Sequence, residues 1–183
     1  MIVATRYAKS LLEIAIEKGQ LEKVYADMLF VQSVCNSSKD FVGFLNSPII
    51  HSDKKQAVIK SVFGNNISEI SLGFFKILTD KRREMYMGEI AKAFIEQYKE
   101  HKHITTAVVT SAAGIDAGAR EKILNLVKAQ VNGEVELVEK TDKDLIGGFV
   151  LRIGDKQVDA SISRKLNDLR KSFSENPHTI NIN

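Results

Sequence analysis

The chain has 183 residues, 44% of them hydrophobic and 27% charged, with a net charge of +3 at neutral pH. These are the proportions of an ordinary soluble globular protein, long enough for one medium domain or two small ones. No apolar run approaches the roughly 20 residues of a membrane-spanning helix, and the single cysteine, Cys35, excludes an internal disulfide and suits a reducing compartment.

The first hundred residues read as one helix after another. Val3, Tyr7, Leu11, Ile14 and Lys18 recur at helical spacing, and Gly19 is placed to close that helix. Glu13, Glu17 and Lys18 also break any signal-peptide core, and no Arg- and Ser-rich transit peptide precedes them, which favours a bacterial origin. The second helix carries Leu21, Val24, Tyr25, Met28, Val31 and Cys35. A short third holds Phe41, Phe44 and Leu45, and a fourth, with Ser52 expected as its cap, holds Val58, Ile59, Val62 and Phe63. Ser68 is placed to start the fifth, and Met87, Ile90, Ala91, Phe94, Ile95 and Tyr98 form the sixth. Short loops between them suit an antiparallel bundle.

The pattern changes near His101–Lys102–His103. Ile104 to Thr110 is rich in β-branched residues and is closed by Ala113–Gly114. Asp116 can cap a helix containing Ala119, Ile123, Leu126 and Val127. Asn132–Gly133 turns into a second strand with Val135 and Leu137 on one face. Next come Gly147–Gly148, a strand with Phe149, Leu151 and Ile153 on one face, a turn at Gly154–Asp155 and a return strand carrying Val158. The period then reverts to helical through Ile162, Leu166, Leu169 and Phe173, and the polar stretch from Ser174 to Asn183 reads as a frayed tail. The expected fold is α+β: an antiparallel bundle of about six helices over 1–102, then a small α/β domain over 103–183 with a short sheet and two helices.

Little in this chain suggests chemistry. Cys35 lies on an apolar stripe and reads as a small buried hydrophobe rather than a nucleophile. Among His51, His101, His103 and His178, only His101 and His103 are neighbours, and no Cys or carboxylate stands near them at metal-ligand spacing. Gly147 and Gly148 open a strand, not a helix, and no GxxxxGK[ST] motif occurs, so a structural turn is expected and no nucleotide or other cofactor. Asp159 is read as a cap on the final helix, with Ser161 beside it. Lys81–Arg82–Arg83 is flanked by Asp80 and Glu84, which reads as a solvated helix end. The fifth helix is different: Ile70, Leu72, Phe74, Phe75, Ile77 and Leu78 surround more of it than one core-facing stripe needs. Either it is wholly buried, or one side faces the core and another lines a groove for a partner helix.

The run from Leu145 to Ser161, LIGGFVLRIGDKQVDAS, resembles the C-terminal signature of the delta subunit family of F-type ATP synthases, bacterial counterparts of the mitochondrial oligomycin-sensitivity-conferring protein. The resemblance rests on Gly147, Gly148, Gly154, Asp155, Asp159 and Ser161, followed by Leu166 and Leu169. The opening Val3-Ala4-Thr5-Arg6-Tyr7-Ala8-Lys9-Ser10-Leu11-Leu12 is similar to the family's first helix, so the likeness runs from Val3 to Phe173.

The resemblance implies a non-catalytic stator subunit of a proton-translocating ATP synthase, peripheral on the cytoplasmic face of a bacterial inner membrane and monomeric in isolation. The helical domain would receive the N-terminal helix of the alpha subunit between its first and fifth helices, and the α/β domain would hold the C-terminal region of the b subunit. Carried onto this chain, the groove is expected to comprise Tyr7, Ser10, Leu11, Phe74, Ile77 and Leu78, with Phe74 exposed in the free protein. A small nucleic-acid-binding adaptor is the alternative, disfavoured because no Arg/Lys stripe or exposed aromatic strand motif is present.

Overall fold

The computed structural model describes residues 2–112, 114–130, 133–143, 145–154 and 156–175. Ala113, Asn132, Asp155 and the tail beyond 175 therefore lie outside the described residues. The chain divides into two units, Met1–His101 and Lys102–Asn183.

The first unit contains α1 (Ile2–Glu17), α2 (Leu21–Ser37), α3 (Lys39–Asn46), α4 (Ser52–Phe63), α5 (Glu69–Asp80), a 3-10 turn (Glu84–Tyr86) and α6 (Met87–His101). Local chemistry sets most of these boundaries. Gly19, at φ +64°, donates to the Ile16 carbonyl while Gln20 donates to that of Ala15, which satisfies the last carbonyls of α1. Ser38 Oγ accepts the Phe41 N–H at 3.2 Å and caps α3. Ser52 is not the cap of α4. His51 is the last extended residue before that helix, and its carbonyl accepts the Lys54 and Lys55 N–H groups without any side-chain bond.

Packing corrects the first stripe. The residues of α1 turned fully inward are Ala4, Ala8, Leu11 and Ala15, while Ile14 and Lys18 stay exposed. Alanines on that face let α1 lie close against α6, where a larger stripe would hold the helices apart. Phe63 is fully buried and meets Phe30, Phe41 and Phe75 at ring-centroid distances of 5.8, 5.7 and 6.0 Å. The edge-on and tilted geometries among these rings are those that aromatic quadrupoles favour.

The second unit contains β1 (Ile104–Ser111), α7 (Ala117–Gln130), β2 (Glu134–Thr141), β3 (Phe149–Ile153), β4 (Lys156–Asp159) and α8 (Ile162–Glu175). Its sheet has the order β2-β1-β3-β4. β1 and β2 are parallel and joined through α7, as a parallel pair requires, while β3 runs antiparallel to both β1 and β4. Asp116 Oδ1 accepts the Ala119 N–H at 3.2 Å and starts α7 as expected. Ile123 and Val127 pack on Ala107, Val109 and Leu151, whereas Leu126, read as part of that stripe, is exposed.

Candidate functional site

The first surface to consider lies where α1 and α5 meet. The Tyr7 and Phe74 rings pack edge-on at 6.3 Å, so the two helices are neighbours, as a shared surface requires. The six groove positions divide sharply. Leu11 and Leu78 are fully buried and Phe74 is only 7% exposed, while Ile77 is 53% exposed, Ser10 is exposed and Tyr7 is half-buried. The expectation of an exposed Phe74 is therefore corrected. A single helix turn carries Phe74 and Leu78 inward together, and the Tyr7 ring packs edge-on against Phe74. Ser10 Oγ donates to the Arg6 carbonyl, so its hydroxyl is turned back along its own helix.

Arg83 adds what the sequence had hidden. Its Nη1 donates to Tyr7 Oη at 3.0 Å, and its guanidinium carbon lies 5.4 Å from the Tyr7 ring centroid. This residue, read as part of a solvated charge run, thus pins the side chain at the edge of the surface. Two buried polar clusters brace the helices beneath. Asp27 Oδ2 accepts from Ser68 N–H, Ser68 Oγ and Ser71 Oγ, placing a carboxylate at the N-terminus of α5. Lys55 and Glu84 form a buried ion pair at 2.7 Å. The only sequence-level sign of Asp27 is a carboxylate inside the stripe Val24, Met28 and Val31. Lys55 likewise stands four residues before Ile59 on the inward face of α4.

The second surface is α8. Ile162, Leu166, Leu169 and Phe173 fall within one narrow sector of the helix at 100° per residue. All are exposed, Leu166 at 52% and Phe173 at 80%. Lys165 and Arg170 flank the stripe on opposite sides, while Asp168 lies farther round and meets Arg164 at 3.8 Å. Val158 on β4 and Ile146 add exposed apolar area in the same unit.

The glycine signature sets the start of this helix. Gly148 has φ +78°, and a Cβ there would overlap the Ala160 carbonyl oxygen. At Gly147, a Cβ would stand 2.7 Å from Ile162 Cδ1, and its carbonyl accepts the Ile162 N–H. Gly154 follows β3 with φ +55°, a left-handed geometry that suits glycine. The cap itself is Ser161 rather than Asp159: Ser161 Oγ accepts the Arg164 N–H at 3.2 Å, while Asp159 Oδ1 accepts the Ser161 N–H at 2.9 Å. The chain reaches helical geometry only at Ile162, which puts Asp159 too early to serve the first turn. Hydrogen bonds from the Ser161 side chain and backbone hold the Asp159 carboxyl below its ordinary pKa. Cys35 is half-buried rather than enclosed, and burial pushes its thiol pKa up, away from nucleophilic character.

A helical unit and a small mixed α/β unit with an uncovered amphipathic helix define an α+β protein of distinctive order, and the relatives identify it. Residues 3–173 match the family model for the ATP synthase delta (OSCP) subunit. The ATP synthase subunit delta of Cytophaga hutchinsonii is 36% identical over 173 residues, covering 94% of each chain. That of Amoebophilus asiaticus is 38% identical over 173 residues with the same coverage, and that of Christiangramia forsetii is 34% identical over 179 residues, covering 98% of this chain and 97% of its own. A chain in the Toxoplasma gondii mitochondrial ATP synthase hexamer shares the fold with a TM-score of 0.73 at 22% identity, covering 93% of this chain and 97% of that one. The chain belongs to the ATP synthase delta (OSCP) subunit family of the F-type ATP synthases.

Proposed function

We propose that the chain is a non-catalytic stator subunit that ties the catalytic head of a proton-translocating F-type ATP synthase to its b-subunit peripheral stalk. Rotation of the central shaft exerts torque on the head, so the head must be held against co-rotation. Durable interfaces meet that demand, and the observation that carries the reading is the uncovered stripe of α8. Four large apolar side chains in one sector of a helix favour burial against a partner helix.

In this reading the α/β unit takes the C-terminal region of the b subunit on α8. Lys165 and Arg170 suit acidic residues flanking the partner's apolar stripe. The helical unit takes the N-terminal helix of the alpha subunit over Tyr7, Ser10 and Ile77, while Leu11, Phe74 and Leu78 hold the helices together beneath. The protein works at the cytoplasmic face of a bacterial membrane and reaches that membrane only through the complex. No described helix is long and apolar enough to cross a membrane itself.

The test is the double substitution Leu166→Asp with Leu169→Asp. Both side chains are exposed, so circular dichroism should be unchanged. Capture of a fragment from the C-terminal region of the b subunit should weaken by about 100-fold or more, the loss expected for placing charge in an apolar interface centre. Undiminished capture by the folded variant would remove α8 from the stalk interface.

A further inference from the structure

Helices α4 and α5 run antiparallel, which sets residues of one against residues of the other in rungs. Gln56, early in α4, donates from Nε2 to Asp80 Oδ1, at the end of α5, at 2.6 Å. Lys60 stands one turn further along α4 and Lys76 one turn back along α5, so these two lysines form the next rung. Both border a hollow of about 240 Å³ between the helices, lined also by Ile59, Leu72, Gly73 and Phe75.

The floor of the hollow is apolar and its rim is cationic. Ile59 and Phe75 are buried and Leu72 is half-buried, while Lys60 and Lys76 are exposed. Two ammonium groups on facing helices repel each other, and among the described residues neither has an ion-pair partner. Asp80, the carboxylate one turn from Lys76, is engaged by Gln56 and does not line the hollow. The Thr79 hydroxyl, at the same wall, is committed to the Phe75 carbonyl at 2.8 Å. Lysine stems lie along apolar surface while their heads stay in water, so both heads can converge on a charge at the mouth.

Gly73 keeps one wall low. Glycine weakens a helix interior relative to alanine. Here a Cβ would meet no atom within 4 Å and the backbone is not left-handed, so neither packing nor geometry requires glycine. Space for a guest gives it a reason.

These features define the guest. A cation would add to the repulsion at the rim, and a neutral molecule would leave that repulsion in place. An anion on an apolar stem meets both the rim and the floor. The volume lies below the range of about 300–1,000 Å³ usual for drug-sized ligands, so the stem is short. A partner helix fits poorly, because its anchors spread over about two turns, whereas the hollow spans one turn of α4, from Gln56 to Lys60.

We propose that this hollow binds a free aliphatic monocarboxylate of short to medium chain, its stem on Ile59, Leu72 and Phe75 and its carboxylate between Lys60 and Lys76.

The test titrates the full-length protein with hexanoate, hexan-1-ol, hexylammonium and acetate while backbone amide shifts are followed by NMR. The expected result is saturable shifts at residues 56–60 and 72–79. Hexanoate should bind about fivefold or more tightly than each of the others at low ionic strength, a preference that narrows as salt is added. Lys60→Gln with Lys76→Gln, both at exposed positions, should leave circular dichroism unchanged and lower hexanoate to the affinity of hexan-1-ol. Gly73→Leu should fill the open wall and abolish the hexanoate shifts. Equal binding of hexanoate and hexan-1-ol by the parent would reduce the hollow to an unselective apolar depression. An undiminished preference in the double lysine variant, or no saturable shifts at all, would remove the site. Tighter binding of N-acetylglutamate methylamide than of hexanoate would assign the rim to a partner's acidic side chain instead of a free ligand. Each of these results overturns the inference, and none bears on the stalk interface at α8.

Discussion

Asp27 and Ser68, 41 residues apart, are joined by two hydrogen bonds to one oxygen: Asp27 Oδ2 accepts the Ser68 N–H at 2.9 Å and its hydroxyl at 2.6 Å. Ser71 Oγ adds a third at 2.6 Å. Asp27→Ala leaves these donors without their acceptor and is expected to destabilise the helical unit by about 2–3 kcal/mol. Urea unfolding followed by circular dichroism measures this; a midpoint equal to the parent's would show that water replaces the carboxylate at no cost.

Phe74 and Ile77 should respond in opposite ways to the same substitution. Phe74→Asp places a charge in the core and should cost on the order of 4 kcal/mol, enough to unfold a marginal domain. Ile77→Asp changes a half-exposed position and should shift stability by less than about 0.5 kcal/mol. If the alpha-subunit helix docks on this face, Ile77→Asp should still weaken its binding at least tenfold in calorimetric titration. A folded Phe74→Asp protein would contradict the burial described for that ring.

Gly148 cannot accept a side chain without moving the start of α8. Gly148→Val combines a φ of +78° with overlap on the Ala160 carbonyl and should cost more than about 1 kcal/mol. Thermal unfolding of the variant would reveal it, and an unchanged transition would mean that the strand and helix separate freely at this point.

Asp159 gives the α/β unit an acid-sensitive contact. Its folded-state pKa is lowered by the Ser161 hydrogen bonds, so the unfolded chain binds the proton more readily. The stabilisation is therefore present above the ordinary aspartate value and is lost as pH falls from there through the lowered folded value. Asp159→Asn should flatten the fall of the urea midpoint across that acidic window while leaving other segments of the pH profile alike. Parallel profiles for the two proteins would refute the assignment.

The division at His101 and Lys102 predicts that a chain ending at Lys102 folds as a helical monomer. Limited proteolysis of the whole protein should cut first near this junction. Early cleavage inside α4 or α5 would argue against independent folding.

Much of the architecture was legible in the sequence because it depends on neighbours in the chain. Gly19, Ser68 and Asp116 act within four residues of themselves, through local hydrogen bonds or a left-handed turn, so their types and positions suffice. The change from helical to alternating periodicity after His101, and the glycine pair before β3, are likewise local. Ser52 and Asp159 show the limit even there, since a helix start displaced by one or two residues hands the capping role to another group or leaves it to the backbone.

The direction in which a fully apolar helix turns is not local. Every side of α5 that carries Phe74, Phe75, Ile77 or Leu78 is chemically fit for burial, and only the placement of the elements packed against it, α4 and α2 among them, decides that Ile77 remains outside. The same holds for Asp27, Lys55 and Glu84, whose partners arrive from remote parts of the sequence. Amphipathicity alone determined that α8 has an apolar face; only the tertiary structure decided that this face stays exposed among the described residues while α7 packs over Ala107, Val109 and Leu151.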